Sequence, residues 1–329
     1  MKAVELENLR KNFSLKRGGF FNRVTSEVVA VDGLSLCVEQ GESVAFIGPN
    51  GAGKSTTIKV LTGIMCPTSG YARVLGLVPW EQRTKLACRM GAVFGQRSQL
   101  WYHLPPGDTF ELLARVYNLD RKLFLQRRDN LIERFNLAPF LDTQVRKLSL
   151  GQRMRAEIAA SLLHAPQVLF LDEPTIGLDV VARQELRDLI REWNREEGVT
   201  VFLTSHDAGD IESVARRVVV INHGKVVLDD KVSNVRRQFL SSKMLSAKFH
   251  EAPSPLPEMA GVEVLKRNGY AVRLKVDTER TNIDVVTAAI LQAGRVADIT
   301  IEDPPLEDVI AHIYSQQASH SQEYANGRR

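Results

Sequence analysis

A glycine-rich stretch from Gly48 to Thr56 carries the clearest chemical signal in this sequence. It fits the pattern G-x-x-x-x-G-K-[ST], with Gly48, Gly53, Lys54 and Ser55 at the fixed positions. Glycines let the backbone curl, so that successive N–H groups point inward at phosphate oxygens. In such a loop the lysine reaches the outer phosphates and the hydroxyl ligates Mg²⁺. The stretch therefore predicts a site for a nucleoside triphosphate.

Two adjacent carboxylates follow an apolar run later in the chain. Asp172 and Glu173 end the segment Val168–Glu173, whose apolar part is typical of a buried strand. Asp172 is placed to hold Mg²⁺, directly or through water. Glu173, one residue on, is placed to polarise an attacking water. The alternative, a solvated acidic turn, is disfavoured by the phosphate-binding loop upstream.

A second candidate anion site precedes a predicted helix at Arg153–Leu163. Ser149 and Gly151, within Leu148–Gln152, would present a hydroxyl and bare N–H groups at a helix N-terminus. An ordinary helix cap explains the same residues, and on spacing alone it is the favoured interpretation.

These candidate residues need a sheet and helices to position them. Ser43–Ile47, Val168–Leu171 and Val199–Thr204 read as buried strands, and their alternation with helical segments predicts a mainly parallel sheet. Asp108 and Thr109 are predicted to cap the first helix of a helical region that extends to Pro166.

Towards the N-terminus, the pattern predicts antiparallel hairpins. Val28–Val31 and Leu34–Val38 read as two strands around a turn at Asp32 and Gly33. The fold class predicted is α/β, with a mainly parallel sheet core, an antiparallel β subdomain and a helical subdomain.

The chain of 329 residues is long enough for one large domain and one small one. We predict a nucleotide-binding domain over 1–238, with its helical subdomain at about 98–166. A proline-rich loop at Pro253–Pro257 then leads into alternating and helical patterns, which predict a small α+β accessory domain over 239–315. The polar end, 316–329, is predicted to be disordered.

Composition limits the possible partners. The 43 basic and 39 acidic residues leave a formal charge of +4, too balanced to favour a nucleic acid as partner. The three cysteines lack metal-site spacing and indicate a reducing compartment. We find no signal peptide and no apolar run of membrane-spanning length. If the protein works at a membrane, another chain is expected to supply the spans.

Six motifs in order resemble those of the ATP-binding subunits of ABC transporters. The resemblance covers about residues 1–238, and its motifs are the following: Gly48–Ser55 as Walker A, Gln96 as the Q-loop, Leu148–Gln152 as the LSGGQ signature, Asp172 and Glu173 as Walker B and the catalytic glutamate, Gly177–Asp179 as the D-loop, and His206 as the switch histidine.

The resemblance implies ATP and Mg²⁺ as cofactors and assigns roles to individual residues. The catalytic residues would be Glu173, His206 and Gln96, and the Mg²⁺ ligands Ser55, Gln96 and Asp172. ATP would contact Asn50, Gly51, Ala52, Gly53, Lys54, Ser55 and Thr56, with Phe13 stacked on adenine. A second subunit, most simply an identical copy, would contribute Ser149, Gly151, Gln152 and Asp179 to a nucleotide sandwich.

Two features depart from the family pattern. Leu150 stands where the signature usually has glycine, and it could narrow the approach of the opposing phosphate. Lys16–Glu27 reads as an insertion, which we interpret as an exposed loop. Phe20 and Phe21 within it compete with Phe13 for the adenine.

Further stretches resemble the ATP-binding subunits of bacterial ABC-2 type exporters. They are Gly95–Pro105, Thr175–Asp179 and Ile301–Val309. Trp101 and Tyr102 would form a groove for a transmembrane permease, or else belong to the core of the helical subdomain. The resemblance implies an ATPase that powers export from the cytoplasmic face of the bacterial inner membrane, bound there through its permease.

Two alternatives to export remain open. The same ATPase could serve an importer, which the C-terminal region disfavours. A soluble ABC protein acting on translation or DNA is the other. Translation types carry two cassettes in one chain, and DNA-repair types place a long coiled coil between the Walker motifs, for which the separation of Lys54 and Asp172 is too short.

Overall fold

The computed structural model describes residues 1–17, 24–95, 98–205, 207–238 and 242–304. The chain divides into two compact units, the first from Met1 to Val232 and the second beginning at Ser233. The boundary predicted after residue 238 falls at the end of a short helix that starts at Val232. The predicted tail at 316–329, and the end of the accessory domain from 305 onward, lie outside the described residues.

The strands and helices alternate along most of the chain. The strands are β1 (Lys2–Arg17), β2 (Val24–Glu39), β3 (Ser43–Ile47), β4 (Ser69–Val74), β5 (Met90–Phe94), β6 (Val168–Asp172), β7 (Thr200–Thr204), β8 (Arg217–Asn222), β9 (Lys225–Lys231), β10 (Ser242–Phe249), β11 (Val262–Asn268), β12 (Ala271–Asp277) and β13 (Val296–Glu302). The α-helices are α1 (Lys54–Leu61), α2 (Arg83–Ala87), α3 (Pro106–Val116), α4 (Arg121–Arg134), α5 (Leu150–Leu162), α6 (Val180–Glu197), α7 (Ala208–Val214), α8 (Val232–Gln238) and α9 (Ile283–Ala293).

A six-stranded sheet forms the centre of the first unit. Its strand order is β5-β6-β7-β3-β8-β9, and every neighbouring pair is parallel except β8 with β9. Strands β3 and β7 are buried along their whole length, as expected for strands covered on both faces. The mainly parallel sheet predicted from the sequence is confirmed. In its register Asp172 lies opposite Thr204, so the carboxyl ends of β6 and β7 meet at one edge.

An antiparallel sheet of order β2-β1-β4 makes up the N-terminal part. Here the predicted turn at Asp32 and Gly33 is wrong, because β2 runs continuously through both residues. The register shifts there, where Leu9 pairs with Leu34 and Arg10 pairs with Asp32, and Gly33 takes a φ of 71°. The glycine therefore makes a bulge within one long strand rather than a hairpin turn.

The same two strands correct the interpretation of Lys16–Glu27 as a loop. Both ends of that segment continue the antiparallel ladder, with Lys16 opposite Thr25 and Arg17 opposite Val24. Residues 18–23 between them, which include Phe20 and Phe21, lie outside the described residues.

Helices α3, α4 and α5 build the helical subdomain around buried aromatic side chains. Phe110, Phe124 and Phe135 are each at most 1% exposed and share one apolar cluster. Helix α3 begins at Pro106, two residues before the predicted cap, so Asp108 lies in its first turn. Proline favours this position because it lacks the N–H that a helix start leaves unpaired.

The second unit contains a four-stranded antiparallel sheet of order β11-β12-β10-β13 with α9 packed on one face. Val286 and Ile290 of α9 meet Leu245, Leu274 and Val276 of the sheet. None of the described helices combines the length and the apolar character that crossing a bilayer requires.

Candidate nucleotide-binding site

The loop between β3 and α1 depends on glycine at two positions. Gly53 has a φ of 105°, and a Cβ there would lie 2.4 Å from the carbonyl oxygen of Ala30. At Gly48 a Cβ would lie 2.5 Å from the carbonyl oxygen of Ile221. Any larger residue would therefore displace the neighbouring backbone. The glycines therefore let the loop pack closely against β2 and β8.

Lys54 begins α1, and its side chain folds back over the loop. Its ammonium group donates hydrogen bonds to the carbonyl oxygens of Gly48 at 2.6 Å and Pro49 at 3.3 Å. Only 6% of the residue is exposed. Burial lowers the pKa of this amine, while the carboxylates of Glu173 and Asp172 act in the opposite direction. The ammonium group of Lys54 thus lies between the loop and the carboxylates of Asp172 and Glu173. The negative charge of a bound polyphosphate would offset the cost of burying this cation.

Three side-chain oxygens meet at the ends of three different elements. The Ser55 hydroxyl donates to Oδ1 of Asp172 at 3.2 Å, and the Thr204 hydroxyl donates to the same oxygen at 2.6 Å. Hydroxyl and carboxylate oxygens are the hard ligands that Mg²⁺ prefers. The pair Ser55 and Asp172 therefore fits the predicted magnesium site, and Thr204 orients the carboxylate.

Glu173 has a backbone conformation that is unusual for a residue other than glycine. Its φ is 53°, in the left-handed region, which costs on the order of 1–3 kcal/mol. Its N–H donates to the carbonyl oxygen of Thr204 at 3.1 Å and to the Thr204 hydroxyl at 3.2 Å. The strand β7 thus holds the strained residue in place, and such strain is common where a side chain must be aimed at a substrate.

Lys54, Ser55, Asp172 and Glu173 line a cavity of about 850 Å³. Several of the predicted site residues line it: Asn50, Gly51, Gly53, Lys54, Ser55, Thr56, Asp172 and Glu173. Another part of the lining, here called the apolar wall, comprises Val28, Val29, Ala30, Ile64 and Met65. The cavity therefore combines polar groups suited to phosphates and metal with apolar side chains suited to a base.

Three contributions to the site were not predicted from the sequence. Thr204 was assigned no role, although its position at the end of the strand beside Asp172 was a usable signal once the two strands are paired. The residues of the apolar wall on β2, Val28, Val29 and Ala30, were predicted to lie in a strand but were assigned no contact with the nucleotide. Lys59, one turn into α1, also lines the cavity.

The other predicted contacts lie elsewhere in the first unit. Ala52 is 2% exposed and belongs to the apolar cluster beneath the loop. Phe13 pairs with Val28 across β1 and β2, and the ammonium of Lys11 lies 5.4 Å from its ring centroid. Val28 lines the cavity, whereas Phe13 is not among its described lining residues. Stacking of Phe13 on adenine stays a prediction.

The signature and D-loop residues cap two helices outside the cavity. Ser149 and Gln152 form a reciprocal capping box at the start of α5, with bonds of 3.2 Å and 2.9 Å. Asp179 caps α6 by accepting the N–H of Ala182 at 2.9 Å. The ordinary-cap interpretation thus describes Ser149 correctly. Gln96 and His206 lie outside the described residues.

The side chain of Leu150 packs against residues of its own subunit. Its Cδ2 lies 3.0 Å from where a Cβ on Gly177 would be, and the side chain packs against the apolar cluster of the helical subdomain. The signature helix and the D-loop therefore touch within one subunit, through a leucine and a glycine whose φ is 74°.

Comparison with known proteins decides the family. A family model described as ABC transporter matches residues 31–176. The chain is also 32% identical over 296 residues to the daunorubicin resistance ATP-binding protein DrrA3 of Streptomyces coeruleorubidus, with 86% of this chain and 90% of that protein covered. The chain belongs to the ABC transporter family. It is an ATP-binding subunit of the ABC-2 exporter type and it hydrolyses ATP.

Other members of the ABC transporter family agree with this assignment. The daunorubicin/doxorubicin resistance ATP-binding protein DrrA of Streptomyces peucetius is 35% identical, with 68% of this chain and 67% of that protein covered. The bacitracin transport ATP-binding protein BcrA of Bacillus licheniformis is 32% identical, with 65% and 70% covered.

A solved structure shows the same fold. It is a dimeric ATP-binding cassette in a post-hydrolysis state, bound to ADP and Pi, with a TM-score of 0.61 and 26% identity. The match covers 70% of this chain and 98% of that one. The sequence-based resemblance to ABC ATPases is confirmed.

Proposed function

We propose that two copies of this chain enclose two ATP molecules and that hydrolysis in these sites drives a separate permease. The observation that carries this proposal is the meeting of Ser55, Asp172 and Thr204 beside the buried Lys54. Lys54, Ser55 and Asp172 all line the cavity. Ser55 and Asp172 would hold Mg²⁺, with Gln96 as a further ligand. The ion would neutralise charge on the phosphates.

Within one subunit, different residues have different roles in ATP hydrolysis. Lys54 and the loop N–H groups bind the outer phosphates, and Glu173 polarises the attacking water. His206 and Gln96 act at the γ-phosphate. Phe13 stacks on the adenine, next to the apolar wall of the cavity.

The second subunit completes each site. Ser149, Gly151, Gln152 and Asp179 lie outside the cavity of their own chain, which is why a partner has to present them. Helix α5 would direct its N-terminus at the γ-phosphate across the interface. A contact of this kind is isologous and has a two-fold axis.

The permease would dock beside Trp101 and Tyr102. These side chains are 46% and 54% exposed, so the alternative of an aromatic core is wrong. They follow Ser98 and Gln99, which are bonded to Glu157 on the signature helix. A displacement of Trp101 and Tyr102 would therefore be transmitted to α5, the helix proposed to contact ATP. This docking would hold the protein at the cytoplasmic face of the bacterial inner membrane.

Exchange of the catalytic carboxylate tests the proposed chemistry. We expect Glu173→Gln to lower ATP turnover by at least 100-fold while ATP still binds, since a general base contributes about 10²–10⁴-fold. The exposed Glu263 on β11 provides a charge-matched control, and Glu263→Gln should turn over like the wild type. Wild-type turnover in Glu173→Gln would refute the role of Glu173.

Docking is tested on native membranes with tagged Glu173→Gln and ATP. A polytopic membrane protein should co-purify, and Trp101→Ala with Tyr102→Ala should release it. Recovery of ribosomes or DNA without a membrane protein would refute the transport proposal.

A further inference from the structure

Asp210 is a carboxylate that the hydrolytic scheme leaves without a role, although it is completely buried. It is 0% exposed on α7 and accepts three hydrogen bonds. The hydroxyls of Thr175 and Ser205 both donate to its Oδ2, and Nε of Arg187 donates to its Oδ1 at 2.7 Å. A buried charge is tolerated only when it is paired and hydrogen-bonded in this way.

The two hydroxyl donors belong to two different parts of the site. Thr175 lies between the catalytic carboxylate and the D-loop. Ser205 directly precedes position 206, and its hydroxyl oxygen also accepts the N–H of Asp207 at 3.0 Å. This bond spans position 206, so the backbone on both sides of the switch histidine is tied to Asp210.

Two arginines of α6 join the same network. Arg187 donates from Nη2 to Asp207 at 2.8 Å, and Arg183 donates from Nη1 to the same carboxylate at 2.6 Å. Nη2 of Arg183 also donates to the carbonyl oxygen of Leu178 in the D-loop at 3.2 Å. Arg183 therefore connects the D-loop directly to the switch segment, meaning Ser205 and Asp207 on either side of position 206. Asp210 connects the same segment to Thr175, whose carbonyl oxygen accepts the N–H of Leu178 at 3.2 Å.

Gly209 makes room for this arrangement. A Cβ at this position would lie 2.8 Å from both terminal nitrogens of Arg187, so the guanidinium lies flat against the backbone of α7. The N–H of Gly209 donates to Asp207 at 2.9 Å, which completes the cap of the helix. The guanidinium of Arg187 is thus packed against α7 while it bonds to both Asp207 and Asp210.

We infer that Asp210 and Arg187 are positioning residues that couple the D-loop to the switch segment within one subunit. In the nucleotide sandwich the D-loop meets the partner, and a displacement there would move Thr175, the carboxylate of Asp210 and then Ser205. The network would thereby link closure of the dimer to the placement of residue 206. This inference rests on the proposed function.

A double-mutant cycle on the two hydroxyls tests the coupling. Thr175→Val and Ser205→Ala each remove one donor to the shared oxygen with little change in volume. We expect each to lower kcat about tenfold with the Kd for ATP changed less than twofold, because the loop around Lys54 is untouched. The double variant should be no slower than the slower single variant, since groups that act as a unit are non-additive.

Two further variants separate coupling from general destabilisation. Thr175→Ser keeps the hydroxyl and should restore kcat. Asp188→Asn breaks an exposed ion pair with Arg191 on the same helix and should leave kcat unchanged. Fold-losses in kcat that multiply in the double variant would overturn the inference, and so would variants that lower only the melting temperature.

The test also separates this inference from the proposed function. If Glu173→Gln turns over like the wild type, the proposed function fails whatever the cycle shows. If Glu173→Gln is inactive and the cycle is additive, only the inference about Asp210 fails.

Discussion

Replacement of Leu150 distinguishes two roles for the residue that departs from the family signature. If its side chain obstructs the opposing phosphate, then the family's glycine should raise activity. In the structure the side chain instead packs over Gly177 and against the cluster of the helical subdomain. We therefore expect Leu150→Ala and Leu150→Gly to destabilise the protein and to lower ATP turnover.

The size of the effect follows from the burial of Leu150. Truncation of a fully buried leucine to alanine costs about 2–5 kcal/mol. Leu150 is only partly buried, so we expect a loss of about 1–2 kcal/mol for Leu150→Ala. At about 2–4 °C per kcal/mol for a unit of this size, the melting temperature should fall by roughly 2–8 °C. Leu150→Gly should lose up to about 1 kcal/mol more, through the flexibility of glycine in a helix.

Thermal unfolding and steady-state ATP turnover, measured on the same preparations, provide the assay. Leu123 on α4 is 65% exposed, and Leu123→Ala should change neither quantity. Higher turnover in Leu150→Gly at an unchanged melting temperature would refute the packing role and favour the steric one.

Three further predictions concern the loop and two buried titratable groups. Gly53→Ala should lose ATP binding at least tenfold in a fluorescent-nucleotide titration, because its Cβ would meet the carbonyl of Ala30; wild-type affinity would contradict this. Burial raises the pKa of Glu157, so the free energy of unfolding should fall as pH rises from 4.5 through the raised value, and Glu157→Gln should remove that fall. Burial lowers the pKa of His164, so the free energy of unfolding should fall as pH drops below 6.5. The variant His164→Phe can still stack on Tyr117, and its free energy of unfolding should fall less over the same pH range. Denaturant unfolding at a series of pH values measures both effects. For either residue, the same dependence of the free energy of unfolding on pH in the variant and the wild type would contradict the prediction.

The parts of the site that are local in sequence were predictable. The loop, the helix that begins at Lys54 and the strand that ends at Asp172 each carry their own pattern of glycine, charge or apolar residues. Such patterns act over a few residues, so the chain shows them without its tertiary structure.

The features that the sequence did not predict correctly depend on pairing between segments that are distant in the chain. Asp32 and Gly33 look like a turn, but β1 pairs along both sides of them, and Arg10 and Lys225 form ion pairs with Asp32 at 3.4 Å and 3.1 Å. The role of Thr204 likewise depends on the register of β6 and β7. The partners of Asp210 come from three segments of the chain, and no spacing rule could have brought them together.

Complementation between two inactive variants tests the composite nucleotide site most directly. Lys54→Ala removes the phosphate lysine, and Ser149→Arg blocks the signature, so each protein alone should be inactive. Each site of the proposed dimer pairs Lys54 of one subunit with Ser149 of the other. In a dimer of the two variants, one site therefore carries both substitutions and the other site carries neither. Equal mixing should therefore restore about a quarter of wild-type turnover per chain, since half of the dimers are mixed and each has one intact site. Turnover no higher than the sum of the two separate proteins would contradict the sandwich of two copies.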